Sequence, residues 1–162
     1  MSQSDNRSPL SCLSHQGTVQ RTRPVSCGTL VVNPYAQLLL CHVTNTDHWD
    51  IPKGIRDQGE TSLAAAMREM QEEAGLTFPA ELFEDLGEFD YRPDKRLHLF
   101  RVRSPARFES LATLVCTSFF PHHKTGEATP EVDGFRWADR SDIATLCWPR
   151  MAKRLMALDW LG

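Results

Sequence analysis

Residues 54–76 read GIRDQGETSLAAAMREMQEEAGL. From residue 61 to residue 74 there is no Gly or Pro, and the stretch is rich in Ala, Met and Glu, a composition that favours helix. Leu63, Ala66, Met67, Met70 and Ala74 recur at helical spacing and form an apolar stripe. Thr61 or Ser62 can cap the start, and Gly75 can supply the left-handed residue that ends it. At about 100° per residue, Glu69, Glu72 and Glu73 fall within one arc beside that stripe. Like charges three and four apart each destabilise an isolated helix by roughly 0.2–0.5 kcal/mol. Crowded carboxylates raise one another's proton affinity unless a cation sits among them. Gathered oxygen ligands suit a hard ion such as Mg²⁺ or Mn²⁺, and Ala65, small and on the same arc, would leave room for it. On these three carboxylates alone, a solvated face of an amphipathic helix is the simpler reading.

The flanking sequence supplies the frame. VSCGTLVVN and QLLLCHV are dense apolar runs from Val25 to Val43, separated by Asn33-Pro34-Tyr35-Ala36, a strand–turn–strand pattern. WDIPKGIRDQGE, with Pro52, Gly54 and Gly59, reads as a loop. LFEDLGEFDYRP and KRLHLFRVR, joined through Pro93-Asp94, read as a β-hairpin. A shorter strand is expected from Leu114 to Phe120 and a last one at Gly134 to Trp137. Ser141 to Leu146 and Pro149 to Leu158 read as helices, the second with Pro149 in its first turn. Strands on both sides of one central helix, with helices at the end, indicate a mixed α/β domain. Residues 1–24 are polar and lack an apolar period, so a flexible tail is expected there, with one domain over 25–162.

Composition narrows the function. The 162 residues carry 18 Lys and Arg against 21 Asp and Glu, a net charge of −3. Proteins that hold polymeric DNA or RNA by neutralising phosphates usually carry a basic excess, so extended nucleic-acid binding is not expected. Cys12, Cys27, Cys41, Cys116 and Cys147 form no C-x-x-C pair and are odd in number, which argues against a disulfide framework or a zinc site and for a reducing cytoplasm. No apolar run approaches the ~18 residues of a membrane span, so no membrane partner is expected.

Wider spacing changes the reading of the three carboxylates. Gly54, Glu60, Arg68, Glu69, Glu72, Glu73 and Gly75 fit G-x(5)-E-x(7)-R-E-U-x-E-E-x-G-U, with Met70 and Leu76 at the bulky apolar positions U. With residue frequencies near ~0.07, seven fixed positions coincide by chance on the order of 10⁻⁸ per starting point. The pattern resembles the Nudix box at every defined position. The resemblance implies the Nudix fold, a mixed β-sheet sandwiched between helices (α/β/α). It also implies hydrolysis of a nucleoside diphosphate linked to another group, with Mg²⁺ or Mn²⁺. By similarity, Glu72 and Glu73 look like metal ligands, Glu69 like a ligand or general base, and the Gly54 carbonyl like a further ligand. Arg68 and Glu60 look like an ion pair that keeps those ligands aimed.

A later acid often contributes in the family; Glu131 in TPEVDGFRW is the candidate, with Glu127 behind it. His122 and His123 read as exposed loop histidines rather than general bases. WDIPKG ahead of the box looks like the W-x-x-P-K-G opening of dinucleoside tetraphosphate hydrolases and RNA 5′-pyrophosphohydrolases, which would aim Lys53 at an outer phosphate. Tyr91 and His98, with Trp49 and Phe100, are available to stack a base or line a pocket. The expected partner is a small-molecule nucleotide or an RNA 5′ end, with a homodimer left open. The leading expectation is a metal-dependent pyrophosphohydrolase acting on a dinucleoside polyphosphate or an RNA 5′ end. A nucleoside triphosphate pyrophosphohydrolase that sanitises the nucleotide pool, or a nucleotide-binding module without turnover, are the alternatives.

Overall fold

A computed structural model describes residues 22–105 and 110–162. In chain order the strands and helices are β1 (Val25–Val32), β2 (Leu38–Val43), β3 (Trp49–Asp50), β4 (Lys53–Ile55) and α1 (Ser62–Ala74). The long hairpin β5 (Glu84–Arg92) and β6 (Lys95–Arg103) follows, then β7 (Phe119–Pro121), β8 (Ala128–Pro130) and β9 (Val132–Ala138). The short α2 (Ile143–Leu146) and α3 (Pro149–Ala157) close the chain. The expected tail falls almost wholly outside the described residues; only residues 22–24 of it are seen, leading into β1.

The main sheet runs β3-β2-β1-β6-β5, with β4 also on β1 and β9 also on β2. It is mixed, because β1 pairs parallel to β6 but antiparallel to β2 and β4. Period-two alternation sends each strand's apolar residues to opposite faces. Leu30, Leu38, Leu40, Leu97 and Leu99 meet Ile143, Met151 and Leu155 of α2 and α3. Val31, Leu39, Cys41 and Val102 meet Met70 and Ala74 of α1. The result is the helix–sheet–helix sandwich that the sequence implied. Burial of both faces explains why all eight residues of β1 are inaccessible.

Two expectations are corrected. The WDIPKGIRDQGE stretch is more than a loop: β3 and β4 lie within it. Gly28 makes this docking sterically feasible, since a Cβ there would stand 2.8 Å from the Lys53 Cβ across the β1–β4 pair. Conversely, Leu114 to Phe120 is not one strand. A 3₁₀ turn covers Leu111–Thr113, and pairing begins only at Phe119. Between them the backbone bonds to a helix end instead of a strand, the Thr117 N–H donating to the Glu72 carbonyl at 2.7 Å. Among the described residues, no helix is long and apolar enough to cross a membrane.

Candidate active site

Helix α1 carries the acidic cluster, and its ends are tightly defined. The Thr61 hydroxyl accepts from the Ala64 N–H at 3.1 Å as N-cap, and Gly75 closes the helix at φ 66 in the left-handed region. Ser62, the other capping candidate, accepts from the Arg56 guanidinium instead. Ala65 does not line an open site: it is fully buried against Val25 and Cys27.

Arg68 organises the loop ahead of the helix. Its Nε and Nη2 donate to the two carboxylate oxygens of Glu60, each at 3.0 Å, and Nη2 also reaches the Ile55 carbonyl at 3.1 Å. The hydrogen bond to Glu60 is the main reason the guanidinium is held well above its ordinary pKa, and it lowers Glu60 in turn. The remaining nitrogen, Nη1, donates to Glu69 at 2.7 Å and to Glu72 at 3.2 Å. Glu60 in turn accepts from the Asp57 N–H at 3.0 Å, tying loop to helix.

Glu69 is nearly buried and lies directly beneath Gly54; a Cβ on Gly54 would sit 2.1 Å from the Glu69 Cδ. Burial raises the Glu69 pKa against the pull of Arg68. One turn further on, Glu73 accepts from the Lys53 N–H at 3.0 Å. Burial, the dominant cause, pushes the Glu73 carboxyl up to about 8, with Glu69 and Glu131 adding like-charge repulsion. Glu131, between β8 and β9, is positioned by two backbone bonds, its N–H to Ser118 and its C=O from Thr44. The Glu72 side chain is more open, and its carboxylate pairs with Arg68.

A cavity of ≈ 390 Å³ is lined by Glu73 and Glu131 together with Asp50, Lys53, Phe120 and Trp148. It adjoins a second of ≈ 480 Å³, which shares Asp50, Lys53 and Trp148 and adds Tyr91, Arg92, Lys95 and Arg150. Acid on one side and base on the other therefore meet at one pair: Lys53 Nζ lies 3.0 Å from Asp50 Oδ2. Burial would lower the Lys53 ammonium, but Asp50 and then Glu73 outweigh it and raise it to about 12. Lys95 is lowered, first by burial and then by repulsion from Lys53 and Arg92, so the basic cavity favours an anion.

The structure thus brings together Gly54, Glu60, Arg68, Glu69, Glu72, Glu73, Glu131 and Lys53, with Tyr91 at the edge of the same cleft. His98 is elsewhere. It stacks on Phe100 at 4.7 Å and meets Asp85 at 2.8 Å, lining neither cavity. Phe100 is core, and Trp49 packs against the cluster beneath α3 and under the Arg136 guanidinium. His122 and His123 lie ring beside ring, tilted by 38°, in the β7–β8 turn, where Glu127 is exposed. Asp50, Trp148, Arg92, Lys95 and Arg150 were not singled out from sequence. Asp50 had a signal in the WDIPKG stretch; Trp148 and Arg150 lie about a hundred residues away and had none.

Among the described residues no three acidic, His or Cys side chains converge as a ready-made cation cage. The donor set is nonetheless all oxygen, Gly54 has no side chain to cover Glu69, and the raised protonation of Glu69 and Glu73 is what a nearby cation would reverse. These residues fit a hard divalent ion.

The NUDIX domain family model matches residues 22–158. The chain belongs to the Nudix family. It is a Nudix-type hydrolase, of the class that acts on phosphorus-containing acid anhydrides. Its relatives include an uncharacterized 17.7 kDa protein from the e-segB intergenic region of enterobacteria phage T4, 32% identical over 140 residues and covering 81% of this chain and 92% of the phage protein. An RNA pyrophosphohydrolase of Rhodospirillum rubrum is 27% identical over 125 residues, 75% of this chain and 76% of that one. Among solved structures, a C. elegans Ap4A hydrolase binary complex superposes with a TM-score of 0.52 at 21% identity, over 80% of this Nudix chain and 92% of the other.

Proposed function

We propose that this Nudix protein hydrolyses a diphosphate linkage in a nucleotide that carries a polyphosphate chain, a dinucleoside polyphosphate or a triphosphorylated RNA 5′ end, in a reducing cytoplasm. The observation that carries the reading is the joining of the acidic and basic cavities at Asp50 and Lys53. Glu69, Glu72, Glu73, Glu131 and the Gly54 carbonyl are the groups that would hold Mg²⁺ or Mn²⁺. The ion supplies charge neutralisation at the phosphates and activation of water near neutral pH.

Each remaining role belongs to the chain. Lys53, Lys95, Arg92 and Arg150 line one wall and bind outer phosphates as point charges or forks. Glu69, buried and with a raised pKa, is the group suited to take a proton from the attacking water. Arg68 and Glu60 are positioning residues that hold the Gly54 loop over Glu69. The R. rubrum relative is named for RNA pyrophosphate hydrolysis and the C. elegans neighbour for Ap4A, which keeps both substrate types in view. The free state of Cys27, Cys41, Cys116 and Cys147 supports the reducing compartment.

Incubation with dinucleoside polyphosphates, 5′-triphosphorylated RNA and nucleoside triphosphates, each with Mg²⁺ or Mn²⁺, tests the reading. Product identification in ¹⁸O-labelled water locates the attacked phosphorus. Turnover of the first two classes above the third is expected. Exclusive turnover of free triphosphates would move the chain to pool sanitation, and binding without turnover would make it a nucleotide-binding module.

A further inference from the structure

The basic cavity does not end at Arg150. A third hollow of ≈ 350 Å³ continues from it, sharing Tyr91 and Arg150 and adding Lys153 and Arg154 of α3. Arg150 donates to the Tyr91 carbonyl at 3.0 Å, which pins its guanidinium at the junction. Arg154 lies 4.0 Å over the Phe89 ring, so its charge is held on the same wall. Among the described residues the one carboxylate added along this extension is Asp90, and Arg23 pairs with it at 2.6 Å. Among the described residues, Lys95 and Lys153 take part in no ion pair. A chain of net charge −3 thus concentrates uncompensated cations along one line that starts at the candidate active site.

We infer that the track Lys95–Arg150–Lys153–Arg154 holds the first internucleotide phosphates of an RNA whose 5′ polyphosphate lies at Lys53, so that the enzyme selects an oligonucleotide end over a free nucleotide. The inference deepens the proposed function and rests on it for the placement of the 5′ end. At ~1.5 Å per residue, Arg150 to Arg154 rise only about 6 Å along α3, so the third hollow adds room for about one nucleotide beyond what the middle cavity holds between Lys53 and Arg150. Tyr91 and Trp148 line the middle cavity and are the aromatic rings available there to a leading base, with the His48 ring already 4.5 Å from that of Trp148. The partner is a short anionic strand. Two or three phosphate contacts match the local character of the track, whereas a polymer-coating protein would need a basic surface throughout.

Fluorescence anisotropy of the full chain, with Ca²⁺ as the hard cation, compares a 3′-labelled nucleoside triphosphate with a 5′-triphosphorylated tetraribonucleotide. The tetranucleotide should bind at least tenfold more tightly in low salt. Neutralising two further phosphates should steepen its log–log salt dependence by about 1.4. Lys153→Glu, an exposed change outside the packed face of α3, should weaken the tetranucleotide at least fivefold and leave the nucleoside triphosphate unaffected. Equal affinity for the two probes, no binding of either, an equal effect of Lys153→Glu on both, or equal binding of a 5′-hydroxyl tetranucleotide would each overturn the inference. Tight, length-dependent binding without hydrolysis of the 5′ end in Mg²⁺ would leave the track standing and reject the function.

Discussion

Arg68 and Glu60 form a two-pronged ion pair, Nε to Oε1 and Nη2 to Oε2, both at 3.0 Å, across the loop that precedes α1. The third guanidinium nitrogen is left to hold Glu69 and Glu72. One side chain therefore sets the distance between the Gly54 loop and the acidic face of the helix. Lysine retains the charge but cannot make parallel bonds to one carboxylate while reaching two others. Arg68→Lys should lower kcat/KM by about 10–100-fold, with a smaller loss of thermal stability. Steady-state kinetics and a melting curve on the same preparation check this, and unchanged kinetics would remove Arg68 from the site.

Gly54 has to be glycine for contact reasons. The Cβ of Gly54→Ala would stand 2.1 Å from the Glu69 Cδ and 2.2 Å from both carboxylate oxygens, and Glu69 is too buried to move freely. Destabilisation of about 1–3 kcal/mol is expected, with most of the hydrolytic activity lost. Denaturant unfolding and turnover are the measurements; a fully active, fully stable variant contradicts the close approach.

Glu69→Gln and Glu73→Gln each remove a charge and keep the shape. Both should reduce hydrolysis by at least about 100-fold while circular dichroism and the melting cooperativity stay as in the parent. Full turnover in both variants would falsify the assignment of the acidic face to catalysis.

Lys53 and Asp50 are mutually dependent. Asp50 is nearly buried, so Lys53→Met strands a carboxylate and should destabilise by about 1–3 kcal/mol. Combining it with Asp50→Asn should recover most of the stability but none of the substrate affinity, because the cation between the two cavities is still missing. A double-mutant cycle read by both melting temperature and KM separates the effects; recovery of KM would show that Lys53 only serves Asp50.

Stability without divalent ions should depend on pH in a defined sense. Glu73 is raised in the folded state from its ordinary value of 4.5 to about 8, chiefly by burial. The unfolded chain therefore gives up its proton first, and stability falls as pH rises from about 4.5 to about 8. Melting in EDTA should show this decline, Glu73→Gln should flatten it, and Mg²⁺ should oppose it by favouring the ionised carboxylate. A flat EDTA profile in the parent would contradict the buried, repelled state of Glu73.

The sequence alone determined the helix, its limits and the family. Those rest on local rules: the spacing of Glu69, Glu72 and Glu73 on one arc, the Thr61 cap, the left-handed Gly75, and a motif confined to 23 contiguous residues. It also placed the long hairpin and the last strand, because alternating apolar runs and turn residues are local signals. Tertiary structure decided the rest. Pairing of β4 to β1 puts Lys53 beside Glu73, twenty residues on, and packing of α3 against the sheet brings Trp148 and Arg150 to Tyr91. Docking of α1 on β1 sends Ala65 into the core, and the β5–β6 pairing leaves His98 against Asp85, away from the cleft. A spacing rule reaches only as far as one turn or one strand pair; which distant charges share a cavity is set by sheet register and helix docking, and these are properties of the whole fold.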